Sequence, residues 1–367
     1  VKRTRGRIVH IESLEELDRR LAAGARHLSG WRVRGLDLTE RGDQLRACVV
    51  EGASFLGCSF APGTGEELDR AGALVLPAIP DVPVDVHRGR LYSPGELYDT
   101  LAAGGTYDGS LDARAYAWAQ RPGDAEDELA KALHDHAVDQ ALQSWVAGRH
   151  LVGVMGGHAA LRGHPEYAEA ARLGHLLGAT HVVATGGGPG AMEAANLGAR
   201  LAGRPADDLA AALDELAAVA SYRPSVTAWA QAARAVADRF GGGRESLGIP
   251  TWHYGHEPPN LFATAVAKYF RNAVREAILL EVCDRGIVFL PGAAGTVQEV
   301  FQDACENYYA DESAVAPMIL VGVEHWTRTL PAWPLLQALA RGRAIEEHVH
   351  LVDTVEEAAV LVGRSAG

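Results

Sequence analysis

The chain has 367 residues, 48% of them hydrophobic and 22% charged, with a formal net charge of −13 at pH 7. That length accommodates two or three domains, and the apolar share is enough for a sizeable core. The acidic balance, with a sequence pI ≈ 5.6, argues against broad binding to nucleic acid or a membrane surface, though not against a small anionic ligand held by a few N–H groups and one arginine.

Cys48, Cys58, Cys283 and Cys305 form no Cys-x-x-Cys pair, a pattern expected of reduced thiols in a cytoplasmic protein. The start VKRTRGRIVHIESLEEL lacks the apolar stretch of a signal peptide. No apolar run approaches the roughly 18 residues of a membrane helix.

IVHIESLEELDRRLAAG predicts a short strand and then a helix. WRVRGLDLTERGDQLRACVVEGASFLGCSF carries short alternating stretches broken by Gly and Asp, as in small strands with turns. LRACVVEGASFLGCSF faintly suggests a pentapeptide-type coil, but two turns cannot bury a solenoid core. ALVLPAIPDVPVDVHRGRLY is proline-rich and expected to be irregular. DARAYAWAQRPGDAEDELAKALHDHAVDQALQSWVAG predicts two helices split at Arg121-Pro122-Gly123.

From about residue 150 short apolar runs alternate with helical patterns. HLVGVMGG, THVVATGGG, RGIVFLPG, PMILVGVEH and HVHLVDT read as strands. PEYAEAARLGHLLGA, PGAMEAANLGARLAG, ATAVAKYFRNAVREAILLEVC, TVQEVFQDACENYY and TVEEAAVLVG read as helices. The alternation predicts an α/β fold: a Rossmann-like, doubly wound parallel sheet with helices on both faces over residues 146–367. A smaller mixed α+β accessory region, of unassigned role, is expected over residues 1–145. Residues 203–259 interrupt the alternation and read as an insertion or a lid.

Ligands on such sheets bind beyond the carboxyl ends of the strands, where the glycines cluster. In THVVATGGGPGAMEAANLGA, glycines let the backbone approach a ligand, and the next helix aims N–H groups at an anion. The pattern G-G-G-x-G is not a dinucleotide fingerprint, and no P-loop lysine follows. Plain strand–helix turns use glycines too. In FLPGAAGTVQE, Thr296-Val297-Gln298-Glu299 matches a capping box, so Thr296 and Glu299 either cap the helix or face a ligand. Two such loops at adjacent strand ends can clasp one ligand. Arg271 and Arg275 lie four apart on the helix before RGIVFLPG, either as a solvated stripe or within reach of that ligand. His158, His164, His253 and His256 lack clustered Cys or acidic partners, and no metal site is expected.

Together these residues resemble the LOG-like nucleotide phosphoribohydrolases, the cytokinin-activating family often mislabelled lysine decarboxylase. Their P-G-G-x-G-T-x-x-E loop is matched by Pro291-Gly292-Ala293-Ala294-Gly295-Thr296-Val297-Gln298-Glu299. Pro165, Tyr167 and Gly174 match the first strand–loop–helix segment. TGGGPGAMEAANLGA is similar to that of the larger bacterial nucleotide 5′-monophosphate nucleosidases. The similarity spans roughly residues 150–325 in three ordered motifs. Two departures stand out. Ala293 replaces the second glycine, and Arg275 lies about one residue from the family's spacing, with Arg271 as the fallback.

The resemblance implies hydrolysis of the N-glycosidic bond of nucleoside 5′-monophosphates, with no metal or redox cofactor. Glu299 and Arg275 would be catalytic. Gly292, Ala293, Ala294, Gly295 and Thr296 would hold the phosphate, with Pro291 beside them in the substrate site. Gly156, Gly157, Gly186, Gly187, Gly188, Gly190, Met192, Glu193, Asn196 and Arg271 would line the rest of the substrate site. It also implies a homodimer or higher homo-oligomer, with no nucleic-acid or membrane partner. The alternative is a non-catalytic nucleotide-binding or sensing protein of the same fold. Amino-acid decarboxylation would need a cofactor-binding lysine, and Lys268 is the one lysine after residue 131.

Overall fold

The computed structural model describes residues 8–253 and 257–364. Its strands are β1 (Val9–Ile11), β2 (Trp31–Arg34), β3 (Ser54–Leu56), β4 (Leu74–Leu76), β5 (Leu151–Met155), β6 (Val182–Thr185), β7 (Ser246–Gly248), β8 (Ala265–Val266), β9 (Ile287–Phe289), β10 (Met318–Val321) and β11 (Val349–Val352). Its α-helices are α1 (Leu14–Ala22), α2 (Gly42–Arg46), α3 (Thr64–Arg70), α4 (Pro94–Leu97), α5 (Leu111–Ala119), α6 (Ala125–Val146), α7 (Pro165–Leu177), α8 (Ala191–Arg200), α9 (Ala206–Ala217), α10 (Val226–Arg239), α11 (Asn272–Glu281), α12 (Ala294–Tyr309), α13 (Ala332–Ala340) and α14 (Val355–Arg364).

The chain divides into two compact units. The first holds the residues up to Arg90 together with Pro122–Ala141; the second holds Leu91–Arg121 and everything from Leu142 onward. The chain crosses between the units more than once, since Leu91–Arg121 belongs with the second unit and Pro122–Ala141 with the first.

The first unit is a short solenoid. β1, β2, β3 and β4 pair in parallel in that order, at offsets of 22, 22 and 20 residues. A helical segment follows each of the first three strands, and Ile11, Leu17, Val33, Leu45, Phe55 and Leu68 fill the interior. Ser13 caps α1 by accepting from the Glu16 N–H. The coils are keyed by Gly30, Gly52 and Gly72, with φ of 80°, 76° and 91°. The Gly30 N–H donates to Gly52 O and the Gly52 N–H to Gly72 O. The pentapeptide-like look of LRACVVEGASFLGCSF therefore reflects a longer repeat, in which each coil buries its apolar side against the next.

The second unit carries a seven-stranded, all-parallel sheet in the order β11-β10-β9-β5-β6-β7-β8. From β5 the chain steps outward through β6, β7 and β8. It then returns to β9 on the other flank of β5 and continues to β10 and β11. Right-handed crossovers in opposite directions give helices on both faces. Accordingly α7 packs on α8 and α14, while α12 packs on α11 and α13. This is a Rossmann-like doubly wound sheet, with its topological switch point between β5 and β9.

Two sequence readings are corrected. Residues 203–259 are not wholly an insertion: α9 and α10 are added between α8 and β7, but Ser246–Gly248 is a buried sheet strand. ATAVAKYFRNAVREAILLEVC is not one helix, because α11 starts only at Asn272. Before it, the chain is almost entirely buried, and its N–H groups pair across the sheet edge. Val266 N–H donates to Tyr92 O, Ala267 N–H to Gly248 O and Tyr269 N–H to Pro250 O. A segment buried on every side satisfies its backbone equally well by sheet pairing, so its apolar content did not dictate a helix.

Candidate active site

At the switch point the ends of β5 and β9 are stitched together. The Leu290 N–H donates to Met155 O (2.8 Å) and the Gly157 N–H to Pro291 O (3.4 Å). The loop after β6 joins them through the first N–H of α8, which donates to Gly157 O at 3.1 Å. Gly190, with φ 74°, makes that junction possible: a Cβ there would lie 2.6 Å from Gly157 O and from the His158 carbonyl. Gly156, Gly157, Gly186–Gly190 and the turn from Pro291 to Thr296 thus meet at the carboxyl ends of three adjacent strands.

Of the two alternatives for Thr296 and Glu299, the capping box does not form. α12 begins at Ala294, its N-cap is Ala293, and no side chain caps it. Thr296 is therefore already the third helical residue. It is buried against Gly292, where a Cβ would fall 2.1 Å from the Thr296 hydroxyl oxygen. Gly292 is thus required by the threonine. Ala293 sits at φ −113° and ψ −145°, a backbone that needs no glycine, so the departure at this position costs the loop nothing. The N–H groups of Ala294, Gly295 and Thr296 have no acceptor within the helix.

Freed from capping, Glu299 turns toward α11. Its Oε1 lies 3.7 Å from an Arg275 terminal nitrogen, and the two side chains are only 15% and 12% exposed. The same nitrogen is 3.8 Å from where a Cβ of Gly186 would stand. The guanidinium therefore bridges the acid of one glycine loop to the backbone of the other. Burial pushes the Glu299 carboxyl up to about 7; Arg275 opposes the shift and Glu276 adds to it. Arg275 Nε is buried without a partner among the described residues. Glu276, next along α11, accepts from Asn272 (2.7 Å) and from Gln298, tying α11 to the start of α12. Arg271 is the exposed N-cap of α11, one turn away from the pair.

Other expected ligands serve the scaffold. Met192 fills the space beneath the loop, its sulfur 2.7 Å from the Cβ position of Gly186. Asn196 Oδ1 accepts from the Thr185 hydroxyl (2.7 Å) and from Asn260 Nδ2 (2.9 Å), with every partner buried. Glu193 is held by Arg162, whose Nε donates at 3.1 Å and whose second terminal nitrogen donates to the other carboxylate oxygen; both side chains are 1% exposed.

Asn260 and Glu257 escaped the sequence reading. The Asn260 N–H donates to Gly187 O (2.8 Å) and its Nδ2 to Gly188 O (3.2 Å), while its Oδ1 accepts from the N–H groups of Phe262 and Ala263. It fastens the chain after β7 onto the glycine loop. Glu257 stands 3.7 Å from the Cβ position of Gly188 and 3.5 Å from His158. The signal was HEPPN, where two prolines fix an extended approach.

His164 is the N-cap of α7 and makes no side-chain cap; His256 lies outside the described residues. Among the described residues no group of three or more His, Cys, Asp or Glu side chains is placed to hold a metal ion, and no helix is long and apolar enough to cross a membrane. Lys268 is buried and bound to Asp112 at 2.5 Å. Asp112 also accepts from Trp252 Nε1 and the Tyr107 hydroxyl. That lysine is committed to the interior of the unit.

No family model matches this chain, and no curated protein matches it in sequence. Among solved structures, a molybdenum cofactor binding protein from the phototrophic bacterium Rippkaea orientalis is 19% identical, covering 60% of this chain and 98% of its own, with a TM-score of 0.38. A Moco carrier protein from Chlamydomonas reinhardtii is 17% identical, covering 59% and 98%, with a TM-score of 0.37.

Proposed function

We propose that the second unit hydrolyses the N-glycosidic bond of nucleoside 5′-monophosphates, releasing free base and ribose 5-phosphate. One observation carries the reading: a single guanidinium nitrogen of Arg275 faces both the Glu299 carboxyl (3.7 Å) and the glycine loop at Gly186 (3.8 Å to its Cβ position). As the base departs, positive charge builds on the ribose. A carboxylate at that ring stabilises the charge and takes a proton from the attacking water. A group with a pKa near 7 suits proton transfer at neutral pH.

Arg275 is permanently charged and so is a poor proton donor. Its role is to hold substrate and to keep Glu299 partly ionised against burial. The phosphate would rest on the N–H groups from Gly292 to Thr296, and the ribose would lie against Gly186–Gly188.

The test is incubation of the purified protein with AMP, GMP, CMP, UMP and IMP, with free base quantified chromatographically and nucleotide binding measured by calorimetry. Base release from at least one nucleotide, and none from the matching nucleosides, is expected. Binding without release would leave the non-catalytic nucleotide-binding protein as the correct reading.

A further inference from the structure

Beside the head of α8 lies a second feature that the proposed chemistry does not use: a cavity of ≈ 330 Å³ lined by His158, Arg162, Gly190, Glu193, Tyr222 and Trp229, among others. Its walls come from three places. The β5 loop and the start of α8 form one side, and the segment that α9 and α10 add to the fold forms the other.

The floor is fixed. Arg162 engages the Glu193 carboxylate with two nitrogens, and its third donates to the carbonyls of Val219 (3.3 Å) and Trp229 (3.1 Å). Its guanidinium also stacks 4.7 Å from the Trp229 ring centroid. One buried ion pair therefore clamps the 219–229 segment onto the glycine-loop helix. These contacts hold the chamber walls in place, which lowers the ordering cost of binding. At its mouth the Tyr222 ring meets Trp229 edge-on, with centroids 6.3 Å apart, and the Arg223 guanidinium stands 5.6 Å over Tyr222.

The chamber also lies within reach of the Arg275–Glu299 pair. Gly186 stands against Arg275 and Gly190 lines the cavity, and four residues span at most about 14 Å even when fully extended. That is the scale of one nucleotide.

We infer that this chamber receives the base of the nucleotide, a planar aromatic heterocycle stacked on Tyr222, and that the α9–α10 segment sets which base is accepted. The inference rests on the nucleotide reading of the neighbouring loops, but not on hydrolysis. A flat π-system can stack on the half-buried Tyr222 ring, which the fully buried Trp229 backs edge-on, and stacking of a base on an aromatic side chain tolerates any heterocycle while favouring the larger ones. The polar floor is already satisfied within itself, so the ring edge is read by the groups at the mouth.

The experiment is calorimetric titration of the wild type, Tyr222→Ala and Tyr222→Phe with a purine nucleotide, a pyrimidine nucleotide and ribose 5-phosphate, alongside base release by each protein. Tyr222→Ala is expected to weaken nucleotide binding about tenfold, to leave ribose 5-phosphate unchanged and to alter the purine-to-pyrimidine preference. Tyr222→Phe is expected to retain wild-type binding. Equal losses for nucleotide and ribose 5-phosphate, or unchanged nucleotide binding in Tyr222→Ala, would overturn the inference. So would failure of the wild type to bind any nucleotide. Base-dependent binding without base release would sustain the chamber while refuting hydrolysis.

Discussion

Glu299 and Arg275 show how a side chain's role is settled by where a helix starts. Thr296-Val297-Gln298-Glu299 satisfies the capping-box pattern, and the pattern was legible. The alternative to capping was legible as well, but the choice between them depended on α12 starting at Ala294, which small residues at 293–295 permit and do not demand. Burial then determines the electrostatics. Because the folded-state pKa of Glu299 is raised to about 7 from 4.5, the native protein holds a proton that the unfolded chain has lost. Stability contributed by this group is present below about 4.5 and falls as pH rises through about 7. Urea denaturation at pH 5 and pH 8 is expected to show a smaller fall for Glu299→Gln than for the wild type; an identical fall would show that the carboxyl titrates normally. For the same reason, base release should climb with pH and level off above about 7.

The elements around the candidate site are unevenly legible in the sequence. Strands β5, β6, β9 and β10 announced themselves as apolar runs leading into glycine and β11 as a short apolar run, and α7, α8 and α12 as amphipathic stretches. β7 and β8 are three and two residues long, too short for a periodicity, and their neighbours are buried on all sides. The Arg162–Glu193 pair was invisible for a different reason: 31 residues separate its partners, and only the fold brings them together. Removing one partner strands a buried charge. Arg162→Met is therefore expected to cost about 3–5 kcal/mol in chemical denaturation. The double variant Arg162→Met with Glu193→Leu should cost clearly less than the sum of the two single changes. Strict additivity would mean that the two side chains do not depend on each other.

Over the whole molecule, the alternation of strands and helices after residue 150 identified the doubly wound sheet, whose strand ends carry the candidate site. The solenoid of the first unit was harder to see, because its strands are three or four residues long. Its repeat survives chiefly in Gly30, Gly52 and Gly72. Those glycines provide a check on the architecture. Gly52 has φ 76°, and a Cβ there would lie 3.0 Å from the Ser29 hydroxyl. Gly52→Ala should therefore lower stability by about 1–2 kcal/mol, seen as a lower melting temperature with base release by the second unit unchanged. An unaltered melting curve would contradict the keyed-coil description.

The account as a whole stands on Glu299 acting at the ribose beside Arg275. The most direct measurement is single-turnover release of free base from a nucleoside 5′-monophosphate by the wild type and by Glu299→Gln, with nucleotide affinity measured on the same preparations. The account predicts that release slows by about 10²–10⁴-fold while affinity stays within a few-fold. Release at the wild-type rate from Glu299→Gln would contradict it.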